Sequence, residues 1–176
     1  MASMPVFYTI GHSTRSVSEL VALLQGGGVK LLADVRAIPR SRTNPQFNID
    51  ALPPELAAYG IGYEHVPELG GRRGRALADS PNQFWEHASF RNYADYAGTQ
   101  AFRAGLERLR KLGQQQCIAI MCAEAVWWRC HRRIIADYLI AAGETVFHIL
   151  GPGKIEPARL TPAAQKTPDG TLVYPK

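Results

Sequence analysis

The chain is short of lysine, of cysteine and of long apolar runs, and each shortage excludes something. No apolar stretch approaches the ~20 residues of a membrane-spanning helix. The N-terminus also lacks the basic-then-apolar pattern of a secretion signal. The expectation is a soluble, cytoplasmic protein without a membrane partner. Three cysteines, Cys117, Cys122 and Cys130, are odd in number and clustered, unlike a secreted disulfide framework. No C-x2-C pair occurs, and Cys130 and His131, adjacent on a helix, would point about 100° apart. A metal site is therefore not expected, and no cofactor is called for.

Lysine supplies so few of the 20 basic residues that 15 are arginine, with a net charge of +5. A guanidinium fork grips phosphate bidentately, whereas lysine would serve solubility as well. The balance favours a phosphate-bearing ligand, nucleic acid included. Apolar residues make up 46% and charged residues 20% of 176 residues, which suits one folded domain and argues against extensive disorder.

The most informative stretch is CIAIMCAEAVWWRCHRR, Cys117 to Arg133. It reads as a buried strand, a polar loop and the start of a helix whose apolar stripe is Ile134, Ile135, Tyr138, Leu139 and Ala142. Arg129, Arg132 and Arg133 fall in or near the first helical turn. Cations there oppose the helix dipole at roughly 0.3–1 kcal/mol each. A bound anion would reverse that sign. The plainer alternative is that they are solvated, with Arg133 paired to Asp137 one turn on.

Around this stretch the chain alternates apolar runs with helical ones. Pro5–Ile10 is a strand ending in Gly11-His12-Ser13-Thr14. A helix follows, with Ser16 and Glu19 forming a capping box. Val29–Val35 is a second strand, with Asp34 near its end and Arg36 beyond it. An acid-free loop then carries Arg36, Arg40 and Arg42. A short helix near Pro53–Tyr59 leads to a third strand, Ile61–Val66. Leu69-Gly70-Gly71 precedes Arg72, Arg73 and Arg75. Helices near Gln83–Ala97 and Phe102–Leu112 come next, the second capped by Thr99. Thr145–Leu150 is a fifth strand. Residues 1–150 make a single α/β domain, and 151–176 an irregular, Pro-rich tail.

Near-continuous apolar strands alternating with helices indicate a mostly parallel, Rossmann-like sheet of about five strands, covered on both faces. The simplest order is 3-2-1-4-5. It sets strand 1 beside strand 4 and brings Gly11–Ser13, Asp34–Arg36 and Cys122–Glu124 together at the switch point.

Each residue there carries a chemical expectation. His12 handles a proton or bonds a loop carbonyl. Ser13, Arg36, Arg129 and Arg132 hold the anion. Glu124 is a general base or the counter-charge that positions a guanidinium. Asp34 orients Arg36 or His12. Cys122 invites a nucleophile reading, yet Trp128 stands where a C-x5-R loop would need arginine, so a small buried thiol is preferred. Cys130 and His131 lie on the inner face of the helix, His131 as a satisfied core histidine. Arg72 is a further supporting cation. Trp127 or Trp128 stacks on a base or anchors the loop.

The motifs TIGHS (Thr9–Ser13), DVR (Asp34–Arg36), LGG-R (Leu69–Arg72), CAE (Cys122–Glu124) and CHR (Cys130–Arg132) together resemble the family called domain of unknown function 488. The resemblance runs from about Phe7 to His148. It implies a single α/β domain and brings no activity with it. The leading expectation is an enzyme acting on a nucleotide or nucleic-acid phosphate or its attached base, with His12 and Glu124 as catalytic groups. One alternative is a non-catalytic nucleic-acid-binding module. Another is cysteine-based sulfur or redox chemistry at Cys122. The reading leaves the oligomeric state open.

Overall fold

Five apolar runs become parallel strands: β1 (Val6–Gly11), β2 (Leu31–Asp34), β3 (Gly62–His65), β4 (Ile118–Cys122) and β5 (Thr145–Gly151). The computed structural model describes residues 4–71, 73 and 77–176. Arg72, read as a supporting cation, and Arg75 lie outside the described residues. A sixth strand, β6 (Lys154–Pro157), runs antiparallel to β5, and the sheet order is β3-β2-β4-β1-β5-β6. The architecture is the expected Rossmann-like α/β sheet. The order differs from 3-2-1-4-5, because β4 is inserted between β2 and β1.

Burial explains that placement. All five residues of β4 are buried, as suits a central strand with both faces covered. Its side chains alternate between two cores. Ile118, Ile120 and Cys122 face one cluster, shared with Tyr93, Phe102, Ile134 and Leu139. Ala119 and Met121 face the other, shared with Leu20, Leu24, Leu52 and Leu56. Thus α1 (Val17–Gly26) and α2 (Leu52–Ala57) cover one face. The opposite face is covered by α3 (Ala88–Tyr96), α4 (Gln100–Gln115) and α5 (Arg132–Ala141).

Local signals set most helix starts. Ser16 and Glu19 form the reciprocal capping box of α1, and the Thr99 hydroxyl accepts from Phe102 N at the start of α4. Helix α3 begins at Ala88, later than the expected Gln83. The preceding residues are occupied otherwise: Asn82 accepts from Tyr174 N (2.9 Å) and donates to Asp95 (2.8 Å). Those bonds hold residues 80–85 as a turn. No described helix is long and apolar enough to cross a membrane.

The segment after Gly151 is more ordered than an irregular tail. It contributes β6 and a small hairpin, β7 (Gln165–Lys166) with β8 (Leu172–Val173). It also returns Tyr174 to the α5 face, fully buried. Tyr174 donates to Asp137 Oδ2 at 2.8 Å, while Thr161 N donates to Asp137 Oδ1 at 2.9 Å. Asp137 is therefore bound to the tail. The alternative Arg133–Asp137 ion pair is replaced by an Arg133 Nε bond to the Thr161 hydroxyl at 3.2 Å, with the guanidinium 5.0 Å from the Trp85 ring centroid.

Tyr174→Ala should cost about 3–5 kcal/mol, since it opens a cavity and leaves a buried carboxylate oxygen unpaired. Urea denaturation followed by tryptophan fluorescence measures this. A loss below about 1 kcal/mol would show that residues 151–176 stand outside the cooperative fold.

Candidate functional site

Because β2, β4 and β1 are neighbours, their C-terminal ends deliver Asp34–Arg36, Cys122–Glu124 and Gly11–Ser13 to one place. Close approach is built into Gly11. A Cβ there would fall 1.6 Å from the Glu124 carbonyl oxygen, so only glycine lets the loop after β4 lie against the end of β1. The parallel ladder continues past the strands, with His12 N bonded to Cys122 O (2.9 Å) and Ser13 N to Ala123 O (3.0 Å). Ser13 then turns with φ of +50°, the only non-glycine residue with positive φ among the described residues. Such a conformation in a residue with a Cβ is uncommon and clusters at functional sites.

These segments line a cavity of about 780 Å³, whose wall includes His12, Ser13, Arg36, Arg40, Glu124 and Arg129. That volume lies within the range of ligand pockets, roughly 300–1,000 Å³. Glu124 is the only acid among its lining residues.

Arg36 is almost fully buried and held by a saturated partner. The Asp34 carboxylate, itself inaccessible, accepts from Arg36 N, Nε and Nη2 at 3.0, 2.9 and 2.7 Å, and from the Tyr63 hydroxyl. Arg36 Nη2 also donates to Phe47 O at 2.7 Å, and Nη1 lies 3.3 Å from His12 Nε2. Burial pushes the Tyr63 phenol up, and the Asp34 charge adds to that. Asp34 positions Arg36, and Arg36 faces both the cavity and His12.

The tautomer of His12 follows from its neighbours. Nδ1 lies 2.8 Å from the Ser13 carbonyl, so that nitrogen carries the hydrogen. Nε2 then offers a lone pair toward Arg36 Nη1. The ring stacks on Phe47 at 4.4 Å between centroids. Burial pushes the imidazole below an ordinary histidine; the Arg36 and Arg15 charges add to this, while the Ser13 carbonyl and Asp34 oppose it. His12 is a neutral imidazole at neutral pH.

The arginines of the 129–133 segment separate into two kinds. Arg129 ends a short 3-10 turn (Trp127–Arg129), is exposed, and has no ion-pair or hydrogen-bond partner for its side chain among the described residues. Arg132 is fully buried and does not line the cavity. Its Nη1 donates to Cys122 Sγ (3.2 Å) and Glu124 O (3.1 Å), and Nη2 to Ala125 O (3.2 Å). The structure therefore assigns Arg132 to the loop carbonyls, away from the anion-holding place that its helical position had implied. The Glu124 carboxylate is exposed and has no ion-pair partner among the described residues.

Cys122 lies at the cavity wall but is almost fully buried. Burial pushes its thiol well up, with the neighbouring Cys130 adding, against the weaker pull of Arg132. His131 Nε2 lies 2.8 Å from Val35 O and donates to it, which leaves Nδ1 unprotonated and 3.5 Å from Cys130 Sγ. Gly71 makes room for this ring, since a Cβ there would lie 3.0 Å from Nδ1. Trp127 anchors the loop: it stacks on His148 (4.7 Å, 6° between planes) and donates to Glu156 at 2.7 Å. Trp128 remains 46% exposed. Among the described residues, no three or more His, Cys, Asp or Glu side chains group to hold a metal ion.

Arg40, Phe47 and Tyr93 were not singled out from the sequence as site residues. Arg40 had a legible signal, an acid-free loop carrying three arginines. Phe47 beneath His12, and Tyr93 against His131 at 5.0 Å, depend on packing between distant segments and leave no local pattern.

The model of the family described as Domain of unknown function DUF488 matches residues 16–139. The match includes Asp34, Arg36 and the 122–132 segment, and it begins after His12 and Ser13. No curated protein and no solved structure matches.

The buried imidazoles His12 and His148 and the half-buried His131 all sit below the ordinary value, His148 at about 3 through burial and the Arg132 charge. Between that value and the unfolded value of about 6.5, the unfolded chain binds more protons, so their stabilising contribution is lost as pH falls. Asp137, raised by burial, runs the other way. Urea midpoints should drop between about pH 7 and pH 4, and His148→Gln should flatten the slope. A slope unchanged in that variant would contradict the assignment of His148.

Proposed function

The chain belongs to the DUF488 family, whose description assigns no activity, and from the site just described we propose that it is an enzyme acting on a nucleotide-sized, phosphate-bearing ligand. The carrying observation is the cavity of about 780 Å³ with Arg36, Arg40 and Arg129 in its wall and Glu124 as its only acid. In this reading Arg129, free of protein partners among the described residues, makes the first contact with the phosphate. Arg36, fixed by Asp34, presents its Nη1 edge from below, and the Ser13 hydroxyl adds a neutral donor. The exposed Ile38 and partly buried Phe90 offer an apolar wall for a base or other non-polar part.

Two groups can move protons at this place. The Nε2 lone pair of His12 is already oriented, because Nδ1 is committed to the Ser13 carbonyl. A phosphate that accepts from Arg36 Nη1 in place of His12 would leave that lone pair free for a substrate proton. Glu124, exposed at the wall, can take or return a proton on the solvent side. A pocket of this volume favours a mononucleotide, or one flipped-out nucleotide of a strand, over a continuous polymer track. The exposed Trp128 beside Arg129 supports a second reading, a binding module for single-stranded nucleic acid without turnover.

Titration calorimetry with nucleoside mono-, di- and triphosphates, beside polarisation assays with labelled oligonucleotides, tests both. Mononucleotide binding that weakens at least about tenfold in Arg129→Ala is the expected result. With a turned-over nucleotide in hand, Glu124→Gln should lose turnover and keep affinity. Salt-dependent oligonucleotide binding without turnover would favour the module. Binding of neither class at low salt would defeat the proposal.

A further inference from the structure

The cavity floor holds a group that the phosphate reading leaves unused. Cys130 immediately precedes His131, the cap residue of α5, and lines the cavity at 5% exposure. Its sulfur accepts from Arg132 N at 3.4 Å, an amide of the first turn that would otherwise lack a partner. His131 Nδ1, unprotonated because Nε2 donates to Val35 O, lies 3.5 Å away. The Cys122 thiol is a third neighbour, and the guanidinium behind it belongs to Arg132, whose charge is not matched by any carboxylate within hydrogen-bond reach among the described residues. An amide at a helix start, an imidazole base and a buried cation are the surroundings that make a cysteine nucleophilic.

We propose that Cys130, paired with His131 as its base, is the nucleophile of the site and adds to a carbonyl carbon of the phosphate-bearing ligand. This rests on the phosphate reading for the ligand's anionic half, and on the Cys130–His131 geometry alone for the sulfur. In the addition, His131 Nδ1 takes the thiol proton as the sulfur–carbon bond forms and the carbonyl π bond opens. The proton then passes to the carbonyl oxygen, giving a thiohemiacetal without a leaving group or further reactant. Carbon is preferred to phosphorus for two reasons. A thiolate is a soft nucleophile, and the segment from Cys122 to Cys130 contains no glycine, so it does not wrap a phosphoryl group with backbone amides.

The charged and titratable groups facing Cys130 act in both directions. Burial raises its thiol; the Cys122 hydrogen bond, the Arg132 charge and the Arg132 amide outweigh that, while Glu124 opposes them. The neighbouring Tyr93 is itself pushed well up, first by burial and then by Cys130, and stays neutral. The net direction is a thiol below its ordinary range, in contrast to Cys122 and Cys117, both raised by burial.

Alkylation with iodoacetamide, followed by peptide mass spectrometry, tests the sulfur without needing the natural ligand. Cys117 is the most accessible of the three cysteines, so exposure alone would label it first. The expected result at about pH 6.5 is labelling of Cys130 at least ~10-fold faster than Cys117. His131→Gln should slow Cys130 at that pH and let it recover near pH 9. Cys117 reacting first, or Cys130 indifferent to His131, would overturn the nucleophile. Protection by glycolaldehyde phosphate, at concentrations where glycolaldehyde does not protect, is expected for the carbonyl class. Equal protection by both would keep the thiolate and defeat the phosphate anchor, whereas protection by neither would overturn carbonyl addition.

Discussion

The structure depends on one buried cation. Among the described residues Arg132 is the largest fully buried side chain, and no carboxylate forms an ion pair or hydrogen bond with it. Its charge is met by the carbonyl oxygens of Glu124 and Ala125 and by the Cys122 sulfur, with Nε left without a partner among the described residues. Removing a charge from water in this way is costly unless the surrounding dipoles are fixed. They are fixed because Gly11 admits the Glu124 peptide against β1, and because Arg132 sits in the first turn of α5. The guanidinium in turn holds the loop between β4 and α5. Loop, strand end and helix start are thereby one unit, and the cavity wall is an outer surface of that unit.

The same charge sets the chemistry around it. Arg132 contributes to the downward displacement of His131, His148 and Arg15, and favours ionised sulfur at Cys130 and Cys122. A cation that discourages protonated imidazole and encourages thiolate divides the roles of neighbouring groups. The histidines of this region are proton acceptors before they are donors. The two cysteines, both buried, diverge because Cys122 gives its hydrogen toward Cys130 and the Glu124 carbonyl, whereas Cys130 receives the Arg132 amide.

Much of the fold is legible in the sequence because it is written locally. Apolar runs mark the five parallel strands, Ser16 with Glu19 marks the start of α1, and Thr99 that of α4. Strand order is not written locally. Periodicity says that β4 is buried but not between which neighbours, and both 3-2-1-4-5 and the observed order place β1 beside β4. The convergence of Gly11–Ser13 with Cys122–Glu124 therefore survived an incorrect order, and β4 in the centre brings Asp34–Arg36 closer still. The tail escaped for another reason. Its strands, two to four residues long, are mostly exposed and lack an apolar run, and the burial of Tyr174 is decided by Asp137 and Asn82, far off in the chain.

Arg132 shows where residue-level inference reaches its limit. Cations in a first helical turn oppose the dipole, and a bound anion is one way to reverse that penalty. Loop carbonyls are another, since they too present negative charge to a guanidinium. The two cannot be told apart without knowing whether the loop folds back over the helix start. The glycine at position 11 carried that information, because a residue without a side chain at a strand end reports close approach by some other backbone. Arg129, three residues earlier, ends a 3-10 turn on the outer side of that loop and faces water. Of two arginines with the same apparent reason to hold an anion, packing gave one to the fold and left the other at the cavity.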